Sequence, residues 1–114
     1  EVGDARGAGR FTGDEAEPRP EMASGHIPGS RNLPYGNLYN ADGTWKRGDD
    51  LVAAFKQAGV DLDKPMITTC GSGMTAAVVL FGARLTGKQD VALYDGSWSE
   101  WGLDKDTPKA QGAA

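Results

Sequence analysis

Apolar and polar positions alternate most regularly in the second half of the chain, and there they predict a run of alternating helices and strands. Asp49 and Asp50 suit a helix N-terminus, Leu51, Val52 and Phe55 form one apolar face, and Gly59 supplies a stop. Beyond Asp61–Pro65, the run Met66-Ile67-Thr68-Thr69-Cys70 reads as a short buried strand broken by Gly71 and Gly73. Met74 to Leu85 reads as a helix apolar around most of its surface, as expected of one packed deeply on a sheet, and Gly87 ends it. Val91 to Tyr94 reads as another strand, followed by the turn Asp95-Gly96 and a short aromatic helix around Trp98 and Trp101. The tail, 104–114, is expected to fray.

The first half is less regular. Glu1 to Arg6 is a short stub, and residues 7–35 form a long loop rich in Gly, charge and proline (Pro18, Pro20, Pro28, Pro34). Residues 36–48 continue irregular, with Asp42-Gly43 as a turn. Alternating helix and strand predicts the α/β class, with a parallel sheet flanked by helices on both faces. Ligands in such sheets sit beyond the carboxyl ends of the strands, where Cys70 falls.

Composition narrows the class. The 114 residues make one domain, 1–114, with 39% apolar and 25% charged residues. A net charge of −4 argues against nucleic acid as a partner, although Arg6, Arg10, Arg19 and Arg31 crowd the first third and leave room for a local anion site. The single cysteine excludes an internal disulfide framework, and no apolar run is long enough to span a membrane. A cytoplasmic, reducing location is the expectation.

Cys70 admits two readings: an inert buried thiol or a reactive one. Strand, Cys, Gly-x-Gly, helix brings the reactive reading level with the inert one, which a strand-end cysteine alone would favour. The glycines let the backbone curl around the sulfur, inward N–H groups and a helix N-terminus favour thiolate, and Ser72 and Thr75 add hydroxyls. Rival chemistries fail on particular letters. A phosphate loop needs Lys where Met74 stands, and a cysteine phosphatase needs Arg at Ala76. A dithiol needs a second cysteine, and a metal site needs more than one Cys and one His. The sole histidine, His26, lies in a Gly- and Pro-rich turn and reads as structural.

The segments Asp4-Ala5-Arg6, Gly9-Arg10-Phe11, Glu17-Pro18-Arg19-Pro20, Ser24-Gly25-His26-Ile27-Pro28-Gly29, Cys70-Gly71-Ser72-Gly73-Met74-Thr75-Ala76 and Tyr94 to Gly102 follow one another as in rhodanese-type sulfurtransferases. The chain resembles, within that family, the C-terminal catalytic domain of the two-domain 3-mercaptopyruvate sulfurtransferases. The resemblance implies a rhodanese-like fold with part of its first strand missing, and an N-terminal rhodanese-like partner domain absent from this chain. A sheet so shortened would expose apolar surface and seek a partner.

By position, the resemblance makes Cys70 the catalytic nucleophile that holds sulfur as a persulfide. It makes Arg10 the grip on a substrate carboxylate and Arg19 its support, with Gly71, Ser72, Gly73, Met74 and Thr75 cradling the sulfur. Read from composition alone, either arginine is better taken as a structural or solvated ion pair. Trp98 and Trp101 would pack under the loop. The implied reaction moves sulfur from 3-mercaptopyruvate to a thiol, thioredoxin or cyanide, releases pyruvate, and needs no cofactor or metal. Two alternatives use the same nucleophile: a thiosulfate:cyanide sulfurtransferase, disfavoured by the uncharged loop, and a non-catalytic sulfur-carrier module dependent on a partner domain.

Overall fold

The computed structural model describes residues 1–19, 21–71 and 74–112. Its centre is a four-stranded sheet in the order β2-β1-β3-β4, formed by β1 (Val2–Asp4), β2 (Arg31–Asn32), β3 (Met66–Thr69) and β4 (Val91–Leu93). Every pairing is parallel. A first strand stands at the centre of this sheet. Val2, Gly3 and Asp4 pair with Ile67, Thr68 and Thr69, and the Glu1 carbonyl accepts the Ile67 N–H at 2.8 Å, so β1 runs along nearly all of β3 in the middle of the sheet.

Among the described residues four helices accompany the strands: α1 (Ala8–Thr12), α2 (Gly48–Gln57), α3 (Met74–Leu85) and α4 (Ser97–Trp101), with a 3-10 turn at Tyr35–Leu38. The long-helix expectations hold to within a residue or two. The long loop expected over 7–35 instead contains α1 and β2, elements too short to leave a periodic pattern. α3 covers one sheet face: Val79, Ala76 and Ala83 are buried against Met66, Val91, Leu38 and Phe55 in one continuous core. Gly82 makes this close packing possible, because a Cβ there would come within 2.8 Å of Leu38 and 3.5 Å of Phe55.

The second face is covered only at its margins. Val2, Ile67 and Ala92 floor an open hollow of about 420 Å³ bordered by Ile27, Tyr94 and Trp101, and Ile67 stays 46% exposed. Among the described residues no helix is long and apolar enough to cross a membrane.

The tail, expected to fray, is tied down. Ala110 and His26 exchange two backbone hydrogen bonds of 2.9 Å, Gly112 N–H donates to Thr12, and Trp101 Nε1 donates to Pro108. His26 is buried beneath this tie. Its ring stacks on Phe11 at 3.8 Å, and its Nδ1 lies 2.8 Å from the Phe11 carbonyl. That is the structural role its sequence context suggested.

Candidate active site

The site forms where β1 and β3 end and α1, α3 and α4 begin. Cys70 follows β3 directly and is buried, with 1% of its surface exposed. Three hydrogen bonds staple it to the start of α4: Cys70 N–H to Ser97 Oγ (3.1 Å), Trp98 N–H to the Cys70 carbonyl (2.8 Å) and Ser99 N–H to the Gly71 carbonyl (2.8 Å). Trp98, almost fully buried, anchors this corner through Nε1 to the Ala23 carbonyl at 2.8 Å. Its backbone N–H meets the cysteine segment, while its ring lies under the Arg6 guanidinium. Trp101, expected under the loop, is elsewhere: its ring meets Tyr94 edge-on beside the open hollow, because α4 turns it toward the other sheet face.

Ser97 is the residue that sequence reasoning missed. Alone among the non-glycine described residues it has a positive φ, 51°, and its buried hydroxyl both accepts from Cys70 N–H and donates to the Tyr94 carbonyl at 2.8 Å. The Cys70 sulfur lies 3.9 Å from the same oxygen. One hydroxyl proton cannot serve both acceptors at once, and the short bond to Tyr94 claims it. Ser97 therefore shapes the backbone that carries the sulfur.

Beside this corner lies a pocket of about 350 Å³ that reaches the cysteine loop at Gly71 and Thr75. Arg10 and Arg19 line it, together with Tyr35 and Ser99. Arg10 comes closest: its Nη2 would stand 3.1 Å from a Cβ at position 71, so Gly71 leaves the guanidinium its place. Glu17 hydrogen-bonds that guanidinium from Nη2 (2.9 Å) and Nε (3.3 Å) and thereby raises the Arg10 pKa. Arg19 sits at the rim, 55% exposed, in an ion pair with Glu21.

Met74 does not enter the pocket. As the first residue of α3 it points outward and is 79% exposed. Ser72 and Gly73, expected in the cradle, and Pro20 of the Glu17–Pro20 segment lie outside the described residues.

Behind Arg10 is a buried set of charges that the letters alone did not disclose. Arg6 donates to both oxygens of Asp4, to Glu17 Oε2 (3.2 Å) and to the Gly25 carbonyl (2.7 Å), and its guanidinium covers the Trp98 ring at 4.7 Å. The side chains of Arg6, Asp4 and Glu17 are each at most 2% exposed. Alternating signs and complete hydrogen bonding make such burial tolerable.

The family model for the rhodanese-like domain matches residues 3–104. The chain belongs to the rhodanese-like domain family. It is 50% identical over 101 residues to mouse 3-mercaptopyruvate sulfurtransferase, covering 89% of this chain and 34% of that protein. It is 48% identical over 99 residues to the thiosulfate sulfurtransferase of Cricetulus griseus, covering 86% and 33%. Among solved structures, the Tum1 protein of Saccharomyces cerevisiae superposes with a TM-score of 0.86 at 39% identity, covering 99% of this chain and 40% of that one. The chain thus spans about a third of the length of the curated relatives it matches.

Proposed function

We propose that this rhodanese-like domain is a sulfurtransferase that takes sulfur from 3-mercaptopyruvate onto Cys70. The observation that carries the reading is the placement of Arg10 against Gly71, beside the sulfur-bearing segment. A guanidinium offers paired N–H donors to a carboxylate, and 3-mercaptopyruvate presents a carboxylate three bonds from its thiol sulfur. Arg19 at the rim adds a second, more exposed positive charge.

In the first step the Cys70 thiolate attacks the donor sulfur. The new S–S bond forms as the donor C–S bond breaks, and the departing carbon, an enolate, takes the proton from the donor thiol and leaves as pyruvate. Cys70 is left as a persulfide. A thiol, thioredoxin or cyanide then attacks the outer sulfur and returns Cys70 to thiolate. Both displacements are carried by sulfur itself and call on no cofactor. A second rhodanese-like domain would wall the rim, where Arg19 stands exposed.

Incubation with 3-mercaptopyruvate should add about 32 daltons to Cys70, one sulfur atom, visible by intact-mass spectrometry. Cys70→Ser should take up none, and Arg10→Ala should raise KM for 3-mercaptopyruvate about tenfold or more. Thiosulfate is the competing donor, suggested by the Cricetulus griseus relative. A clear preference for thiosulfate in side-by-side loading would overturn the assignment of donor while keeping that of the nucleophile.

A further inference from the structure

Resting on the reading of Arg10 as a carboxylate grip, we infer that Glu17 is a positioning residue that aims Arg10 at the pocket. Glu17 is an unusual neighbour for an anion site: a carboxylate, fully buried, in direct contact with the very guanidinium that must attract another carboxylate. Judged by charge alone it should weaken binding. Its geometry says otherwise.

Both oxygens of Glu17 are used. Oε1 accepts from Arg10 Nη2 at 2.9 Å, and Oε2 accepts from Arg10 Nε at 3.3 Å and from Arg6 Nη1 at 3.2 Å. The two-point contact occupies the Nε–Nη2 edge of Arg10 and fixes the plane of the guanidinium. What remains for a ligand is the Nη1–Nη2 end, and of its two nitrogens Nη2 is the one beside Gly71. Arg6, in turn, holds Glu17 from behind. It keeps Asp4 and the Gly25 carbonyl whatever happens to Glu17, whereas among the described residues the side-chain hydrogen bonds of Arg10 all run to Glu17. Loss of the Glu17 charge therefore falls chiefly on the orientation of Arg10. A neutral amide at position 17 would also turn one N–H donor toward an arginine donor.

Charge and positioning predict opposite signs, which makes the inference testable without turnover. Iodoacetate and iodoacetamide alkylate Cys70 by the same step, thiolate displacing iodide as the C–S bond forms, and differ in carrying a carboxylate or an amide. Their rate ratio at Cys70, followed by mass spectrometry, reads the carboxylate grip and cancels general changes in thiol exposure or stability. Arg10→Ala should lower the ratio about tenfold. Glu17→Gln should lower it several-fold, and should add nothing further in the Arg10→Ala background.

Glu17→Asp keeps the charge but shortens the reach, and it too should lower the ratio; this variant decides the matter if Glu17→Gln does not fold. An unchanged or raised ratio in Glu17→Gln, or an unchanged ratio in Glu17→Asp, overturns the positioning role. An unchanged ratio in Arg10→Ala overturns the reading of Arg10 itself, and the inference with it.

Discussion

Ser97 shows how much of this site depends on a single backbone angle. A φ of 51° is tolerated by few residues other than glycine, yet it places the hydroxyl between Cys70 N–H and the Tyr94 carbonyl. Ser97→Ala keeps the unfavourable angle and loses both hydrogen bonds, and should cost about 1–3 kcal/mol of stability in urea unfolding. Ser97→Gly loses the same bonds but adopts the angle freely, so it should be the milder of the two. If alanine proves as stable as glycine, strain at this position is not limiting. At this scale the sequence was readable where the chemistry is carried by residue type. Arg10, Gly71 and Thr75 line one pocket, and Cys70 precedes Gly71 in the chain. The burial of Asp4 and Glu17 was not readable, because acidic side chains enter a core only when arginines from elsewhere meet them there. Met74 failed as a cradle residue because its position on α3 faces outward, a matter of helix phase rather than of residue type.

Elements were legible where length, apolar runs or turn residues marked them, as the turn Asp95-Gly96 marked the short α4. α2 and α3 carry enough turns for an apolar stripe, and β3 and β4 are short runs of β-branched or apolar residues preceded by Pro or Asp. α1 has five residues and β2 has two, so each owes its existence to contacts made elsewhere in the fold. The tail eluded sequence reading for the same reason: its backbone bonds go to His26 and Thr12, far away in the chain. Gly82 offers a test of packing against propensity. Alanine is the better helix former by about 1 kcal/mol. At this point of α3, however, its methyl would press on Leu38, Trp45 and Phe55, at a cost of about 1–3 kcal/mol. Gly82→Ala should therefore lower the thermal midpoint despite the gain in propensity, and a raised midpoint would mean that the 3-10 turn yields easily.

Across the whole molecule, the parallel sheet sets the chemistry at one end and leaves apolar surface on one face. The alternation that buries Met66 under α3 turns Ile67 outward, so the hollow beneath Tyr94 and Trp101 follows from strand geometry. Tyr94 links this face to stability in alkali. Burial, then its 2.5 Å hydrogen bond to Glu100, push its pKa up to about 12 from an ordinary 10.0. The folded form thus holds the phenol proton more tightly than the unfolded chain. The resulting stabilisation is complete below pH 10 and drains away as pH climbs from there through about 12. Thermal midpoints taken across pH 9 to 12 should fall over that interval, and Tyr94→Phe should flatten the fall.

The central place of β1 also orders events in time. On a nascent chain Val2–Asp4 emerges well before β3, since Glu1 and Pro65, which meet at the sheet's lower edge, are 64 positions apart. Until Met66–Thr69 appears, only β2 can dock on one side of it. The sheet must then assemble late, from distant parts and nearly at once, which is the slow regime of folding. The cysteine segment, placed just past the strand that joins β1 to β4, comes beside Arg10 at Gly71 only when that assembly is done.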